Sequence, residues 1–125
     1  MPERKIIIST EKLRMEAILT EGGSADMFWN ALPLTGRANT WGDEIYFSVN
    51  LQMPLDDNAS DIVESGDIAF WPPGSAFCIF FGRTPASLGE EVRAASAVNV
   101  LGKIDGDEKE FRSIPSGEEV RLEQL

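Results

Sequence analysis

Residues 66–85 read GDIAFWPPGSAFCIFFGRTP, a run of apolar and aromatic residues interrupted by two adjacent prolines. The apolar segments on either side, 67–71 and 76–82, have the length and composition of short buried strands. Pro72 and Pro73 each fix the backbone angle φ and lack an N–H donor, so they cannot lie in the centre of a sheet. The stretch therefore predicts two strands joined at a sharp corner.

The second of these strands is apolar on both faces, because its alternate side chains point to opposite sides and nearly all are hydrophobic. Such a strand must be covered on its second face or line a hydrophobic groove. The sequence leaves both interpretations open. In the first, a helix around Phe28 and Trp29 supplies the cover. In the second, an apolar or proline-bearing ligand lies beside Tyr46, Trp71 and Phe80.

The remaining apolar segments are also short and separated by turns. Residues 13–20 alternate apolar and polar side chains, so they predict a hairpin with the segment before them. The further predicted strands lie at 5–10, at 36–50 in two parts around Gly42-Asp43, at 97–104 and at 118–123. Seven or eight short strands with about one helix predict a mainly β fold, a closed β-barrel of about eight strands. The length fits a single domain over residues 1–125.

One helix is predicted in GGSADMFWNALP, where apolar residues recur at helical spacing. Its apolar stripe consists of Ala25, Phe28, Trp29 and Leu32. Ser24 or Asp26 is the predicted N-cap, since a side-chain oxygen accepts from the free amides of the first turn. Pro33 is expected to end the helix.

The composition is strongly acidic, with a formal net charge of −10 and no histidine. This charge aids solubility or attracts a cationic ligand, and it repels phosphates and anionic lipid, so nucleic acid and membranes are not predicted partners. Without histidine, Ser-His-Asp and Cys-His catalysis and the common zinc sites are excluded. A single cysteine cannot form an intramolecular disulfide, and no segment has the length of a signal sequence or membrane span. The predicted location is the cytoplasm.

Clustered carboxylates are frequent, but none matches a specific metal motif. Residues 56–67 hold five acids and no base, which predicts a solvated loop or a weak turn of helix. Residues 105–110, DGDEKE, resemble a calcium loop but lack its length and its terminal bidentate glutamate. Asp43 and Glu44, beside a turn, are candidates for binding a cation or for a general base. No metal site and no cofactor is predicted, and Cys78 in an apolar strand is expected to be a buried, inert thiol.

Three segments together resemble the cyclophilin-like family of small bacterial and archaeal proteins: NTWGDEIYFS, GDIAFWPPGSAFCIFFGRTP and ASAVNVLGKI. The resemblance runs from about residue 5 to residue 123. It implies a compact variation on the peptidyl-prolyl isomerase fold, an eight-stranded barrel closed by one or two short helices.

The resemblance to true cyclophilins is incomplete at the residues that carry isomerase activity. Gly74-Ser75-Ala76-Phe77-Cys78 resembles their Gly-Ser-Gln-Phe-Phe motif, but Ala76 replaces the glutamine and Cys78 the second phenylalanine. Their Phe-His-Arg strand is absent, and the corresponding strand carries Glu44 and Tyr46. A carboxylate has the wrong sign to donate to the proline amide as its resonance is lost. Isomerase activity would therefore require Arg37 or Arg83 to reach the groove.

These observations predict a protein that binds a small molecule or a short peptide, proline-containing or cationic, in an aromatic-lined groove. The predicted ligand-binding residues are Trp41, Glu44, Tyr46, Trp71, Phe80 and Arg83. The aromatic side chains supply stacking and apolar contact, Glu44 holds a polar or cationic group, and Arg83 pairs with an acceptor on the ligand. Two alternatives remain open. One is a weak peptidyl-prolyl isomerase, and the other is a non-catalytic assembly module that forms a homodimer through its exposed aromatic residues.

Overall fold

A computed structural model describes residues 3–125. These residues form ten strands, one α-helix and two 3₁₀ turns. The strands are β1 Lys5–Ser9, β2 Arg14–Leu19, β3 Leu34–Arg37, β4 Asn39–Thr40, β5 Glu44–Ser48, β6 Ser60–Val63, β7 Asp67–Trp71, β8 Ala76–Phe80, β9 Val92–Asp105 and β10 Glu119–Gln124. The helix α1 is Gly23–Ala31, and the 3₁₀ turns are Pro72–Gly74 and Glu108–Ser113. Within the described residues, no helix is both long and apolar enough to cross a membrane.

The strands form one sheet in the order β3-β10-β1-β2-β9-β7-β8-β5-β4, with β6 paired to β9 beside this path. The fold is mainly β, as predicted. The prediction of a closed barrel of about eight strands is wrong, because the described residues form ten strands in an open sheet. Its two end strands follow one another in sequence, separated by Ala38 alone. The Phe47 ring packs so closely on Gly36 that no Cβ fits there. Among the described residues, β3 and β5 are therefore connected by side-chain packing and not by a hydrogen-bonded ladder.

Two predicted connections are confirmed. Strands β1 and β2 form the expected antiparallel hairpin, with Ile8 opposite Met15. The two prolines form a 3₁₀ turn between β7 and β8, which pair antiparallel with Phe70 opposite Phe77. The chain leaves this turn through Ser75, whose φ of 46° lies in the left-handed region. The corner therefore places Trp71, the last residue of β7, opposite Ala76 at the start of β8.

The predicted helix is present, but both predicted caps are wrong. Helix α1 begins after Gly22, which makes no side-chain cap hydrogen bond. Ser24 lies inside the first turn and donates to Asp56, so its hydroxyl serves a loop contact rather than the helix amides. Phe28 is fully buried and stacks on Phe77, with ring centroids 5.3 Å apart and planes 7° from parallel. The helix therefore covers the face of β8 that carries Phe77.

The acidic segment predicted as a loop or helical turn contains a strand, β6. Its pairing with β9 is irregular: two residue steps along β6, from Ser60 to Ile62, oppose five steps along β9, from Val98 to Arg93. The extra residues of β9 form a bulge, which bends a strand away from its partner. We call residues 94–97 the β9 bulge. Strand β9 is also longer than the predicted segment 97–104, because residues 92–96 belong to it.

The sheet buries apolar residues in two separate clusters. The larger, here the central core, includes Phe28, Phe47, Phe77 and Ile79. The smaller, here the outer cluster, lies on the opposite face of β8 and β7. Its buried members are Val63, Ala69, Ala76, Cys78, Phe80, Val92, Ala94 and Val98, with Tyr46 and Trp71 packed against them. The helix does not cover this second face, so the outer cluster is where a ligand groove must be sought.

Candidate functional site

A cavity of about 250 Å³ opens beside the outer cluster. We call it the aromatic pocket. Its lining residues come from β5, β7, β8 and β9 and from the turn before β5: Trp41, Glu44, Tyr46, Trp71, Cys78, Ala94, Ala95 and Val98. Three of these side chains are aromatic and one is acidic, and the rest are small or apolar.

Strand alternation places two of the lining side chains. On β5, Ile45 and Phe47 are buried in the central core, so Glu44 and Tyr46 point to the opposite face. Tyr46 lies directly opposite Cys78 of β8, which brings the two strands' contributions together. The backbone N–H of Trp41 donates to the Glu44 carbonyl at 2.9 Å and closes the turn that carries the indole.

Trp71 forms the wall of the pocket at the proline corner. Its indole Nε1 donates to Ser96 Oγ of the β9 bulge at 2.6 Å. A Cβ at Gly74 would lie 2.8 Å from Trp71 Cζ3, so the corner requires glycine for the ring to occupy this position. The hydrogen bond joins the ring to the bulge, whose Ala94 and Ala95 complete the wall.

Glu44 is the unusual group of the pocket. Its residue surface is 5% exposed, and its Oε1 atom is the buried side-chain oxygen that finds no hydrogen-bond partner among residues 3–125. Burial raises the pKa of this carboxyl group from 4.5 to about 7, and the neighbouring Cys78 thiol opposes that rise only in part. Burial, together with the adjacent carboxyl, raises the pKa of Cys78 far above its ordinary value. The pocket therefore favours a neutral carboxylic acid and a neutral thiol when it is empty.

The structure brings together Trp41, Glu44, Tyr46 and Trp71, four of the predicted ligand-binding residues, as neighbours around one cavity. It places the other two elsewhere. Phe80 is fully buried in the outer cluster, opposite Glu44 on the neighbouring strand, and is not part of the lining. Arg83 is exposed beyond the end of β8 and does not line the pocket.

Sequence reasoning missed the residues that complete the pocket. Cys78 is buried, as expected, but it also lines the cavity. Ala94 and Ala95 lie before the predicted strand 97–104, and Val98 lies within that strand but is not among the predicted ligand-binding residues. The available signal was the run of small residues in RAASA, which permits the close approach of a bulged strand to an aromatic wall.

Neither a metal centre nor the isomerase arginine is found at this site. No cluster of three or more Cys, Asp or Glu residues in the described chain is arranged to hold a metal ion. Arg37 donates to the Gly117 carbonyl at 3.1 Å, and like Arg83 it does not line the pocket. The condition that the sequence sets for isomerase activity, an arginine in the groove, is not met within residues 3–125.

Comparison with known proteins agrees with this fold. A family model described as cyclophilin-like matches residues 4–123, nearly the whole chain. The chain belongs to the cyclophilin-like family. The cyclophilin-like chain is also similar to a hypothetical protein from Archaeoglobus fulgidus whose structure was determined in solution. The two are 38% identical with a TM-score of 0.82, over 98% of this chain and 95% of that one. Among curated proteins, none matches the chain.

Proposed function

We propose that this cyclophilin-like protein binds a small molecule, or one side chain or end group of a short peptide, in the aromatic pocket. The bound group donates a hydrogen bond to Glu44 and packs against Trp41, Tyr46 and Trp71. Binding, rather than catalysis, is the function that these residues support best.

The observation that carries the proposal is the buried Oε1 atom of Glu44, which has no hydrogen-bond partner in the described chain. Leaving a buried polar group unpaired costs about 1–3 kcal/mol. Buried polar atoms in native proteins are almost always paired, so an exception that lines a cavity supports a partner that enters from the cavity, either water or a ligand donor. A ligand donor would recover this free energy, and that recovery would contribute directly to affinity.

The size and lining of the pocket define the ligand further. A cavity of about 250 Å³ is at or below the lower end of the range for drug-sized ligands, about 300–1,000 Å³. One small ring or a short aliphatic group therefore fits, and the remainder of a larger ligand would lie outside. The three aromatic side chains bury large apolar areas and attract positive groups at their faces.

The two alternative functions have weaker support. An isomerase needs a positive donor beside the proline amide, and the pocket presents a carboxyl group there instead. An assembly module would need aromatic residues exposed on an outer surface, yet Trp41, Tyr46 and Trp71 are each only partly exposed and line a cavity. Sedimentation of the purified protein at high concentration distinguishes this last alternative, since a strict monomer contradicts it.

The three tryptophans provide a test of binding within one spectrum. Trp41 and Trp71 line the pocket, whereas Trp29 lies on α1 with Arg4 over its ring, 5.7 Å from the centroid. A library of small amines, amides and ring compounds is titrated into ¹⁵N-labelled protein, and the indole N–H signals are followed by NMR. We expect the Trp41 and Trp71 signals to shift while the Trp29 signal stays fixed. Shifts of all three together, or of Trp29 alone, would contradict the proposed site.

A further inference from the structure

The class of ligand can be narrowed from the charges around the aromatic pocket, and this inference rests on the proposed function. We propose that the ligand presents a small aliphatic ammonium group to Glu44, and that its binding expels the proton that this carboxyl group carries in the empty pocket. The ammonium group lies between the Glu44 carboxylate and the aromatic rings of Trp41, Tyr46 and Trp71.

The geometry of the lining favours a cation over a neutral donor. Apart from Glu44, no ionised residue of the described chain lines the pocket, so an ionised Glu44 has no counterion there. An ammonium group supplies the missing charge and the missing donor together, and a charge-assisted hydrogen bond is about twice as strong as a neutral one. Tryptophan and tyrosine faces attract the same group through their quadrupoles, and most strongly where water is excluded.

No cationic side chain of the pocket lining already acts as a counterion for Glu44. The pocket's other titratable residues are Tyr46 of β5 and Cys78 of β8, and neither is cationic. Several charged residues on adjoining segments form ion pairs of their own: Asp43 with Arg112, Asp67 with Lys103, and Arg93 with Asp61 and Glu91. Arg83, beyond the end of β8, is exposed and does not line the pocket. The whole chain carries a net charge of −10, which concentrates cations near its surface. The pocket therefore holds one acidic side chain and no cationic side chain of the described residues.

The reaction on binding is a simple proton displacement. Below about pH 7 the buried carboxyl group of the empty pocket mostly holds a proton, because an isolated charge is costly away from water. The incoming R–NH₃⁺ keeps all of its protons, the carboxyl O–H bond breaks, and the released proton passes to the buffer. The product is a carboxylate–ammonium pair, so the charge and the atoms balance. Because binding and deprotonation favour each other, affinity must rise with pH until the carboxyl group is already ionised.

The inference is tested with three probes of similar size: butylamine, butyramide and butyrate. Butylamine is protonated at neutral pH, since alkyl ammonium groups have pKa values of about 10. Calorimetry in buffers of different ionisation enthalpy gives the number of protons released. We expect butylamine to bind most tightly and to release close to one proton at about pH 6 and almost none at about pH 8.5. Its affinity should fall up to about tenfold for each pH unit below neutrality.

Two variants and one control test whether the proton release and the pH dependence of affinity arise in the pocket. Glu44→Gln should abolish both the proton release and the pH dependence of butylamine binding. Glu119→Gln removes the same charge from an exposed position on β10 and should leave both unchanged. Should Glu44→Gln fail to fold, Trp41→Leu keeps the carboxyl group and should weaken butylamine more than butyramide while proton release persists.

The possible outcomes separate the two proposals. If butyramide binds as tightly as butylamine, or if butylamine releases no proton at about pH 6, the inference is wrong although the pocket still binds small ligands. If butyrate binds most tightly, the inference is also wrong. If none of the three probes shifts the Trp41 and Trp71 indole signals, the inference fails together with the binding site for groups of this size.

Discussion

The two faces of β8 differ although the residues that form them alternate along one strand. On one face, Phe77 and Ile79 are fully buried in the central core, and Phe77 contacts aromatic rings of α1 and β5. On the other face, Cys78 borders a cavity beside a carboxyl group whose buried oxygen is unpaired. The aromatic packing stabilises the fold, whereas the buried, unpaired carboxyl oxygen lowers its stability. The difference indicates that one face of this sheet stabilises the fold, and it is the other face that carries the proposed binding site.

The largest loss of stability is expected at Phe77. Phe77→Ala removes a fully buried ring that stacks on Phe28, and large cavities in a core cost about 3–5 kcal/mol of unfolding free energy. We expect a loss of this size in urea denaturation. Cys78→Ala, on the adjacent residue of the other face, removes one sulfur atom beside an existing cavity and should cost about 1 kcal/mol or less. Equal losses for the two variants would contradict the division between the faces.

Glu44 should make stability depend on pH in the direction opposite to that of an acid whose pKa is lowered in the folded state. Its pKa is raised in the folded state from 4.5 to about 7, so between these values the folded protein binds more protons than the unfolded chain. The contribution is complete below about pH 4.5 and is lost as the pH rises through about 7, by about 3 kcal/mol in total. The measurement is urea denaturation of the natural protein and Glu44→Gln across this range, reported as the difference. A difference that does not change with pH would contradict the burial of this carboxyl group.

The attachment of the pocket wall is tested at Ser96. Ser96→Ala removes the acceptor of the Trp71 indole hydrogen bond, which should cost about 1 kcal/mol of unfolding free energy because the pair is largely exposed. Ligand affinity should fall as well, since the ring is then no longer held against the β9 bulge. Ser113→Ala likewise removes one exposed hydroxyl, which donates to the Glu110 carbonyl in the second 3₁₀ turn outside the pocket lining, so it serves as the matched control. Loss of affinity in the control and not in Ser96→Ala would contradict this account of the wall.

The smallest effect is expected at Arg83, which the sequence places in the site and the structure places outside the pocket lining. Arg83→Ala should change the unfolding free energy by less than about 0.5 kcal/mol, as for most surface substitutions. It should leave the ligand affinity unchanged in the same NMR titration. A clear loss of affinity would show that the ligand extends beyond the aromatic pocket toward the end of β8.

Local pattern was sufficient to predict most strands and the side-chain directions within them. The alternation of Glu44, Ile45, Tyr46 and Phe47 determines which side chains face the cavity, and the prolines at 72–73 determine the corner that carries Trp71. These features depend on neighbours in sequence, so a single sequence contains them.

Features that depend on distant contacts were not predictable in this way. Whether the sheet closes depends on how Phe47 packs on Gly36, two residues from different strands. The β9 bulge depends on its register with β6, and β6 lies in a segment whose acidic composition resembles that of a loop. Phe80 and Arg83 were assigned to the site because aromatic and basic types suit a ligand. Only the three-dimensional arrangement shows that Phe80 is fully buried and that Arg83 lies outside the pocket lining.

Glu44 is a buried acid whose Oε1 atom has no hydrogen-bond partner among the described residues, and it lines the proposed ligand pocket. The most direct test follows the ¹³C signal of its side-chain carboxyl carbon by NMR as the pH is varied, with the assignment confirmed by its loss in Glu44→Gln. We expect this signal to titrate with a pKa of about 7 in the free protein and to move toward lower pH when butylamine is added. A pKa near 4.5 that butylamine does not change would contradict the account.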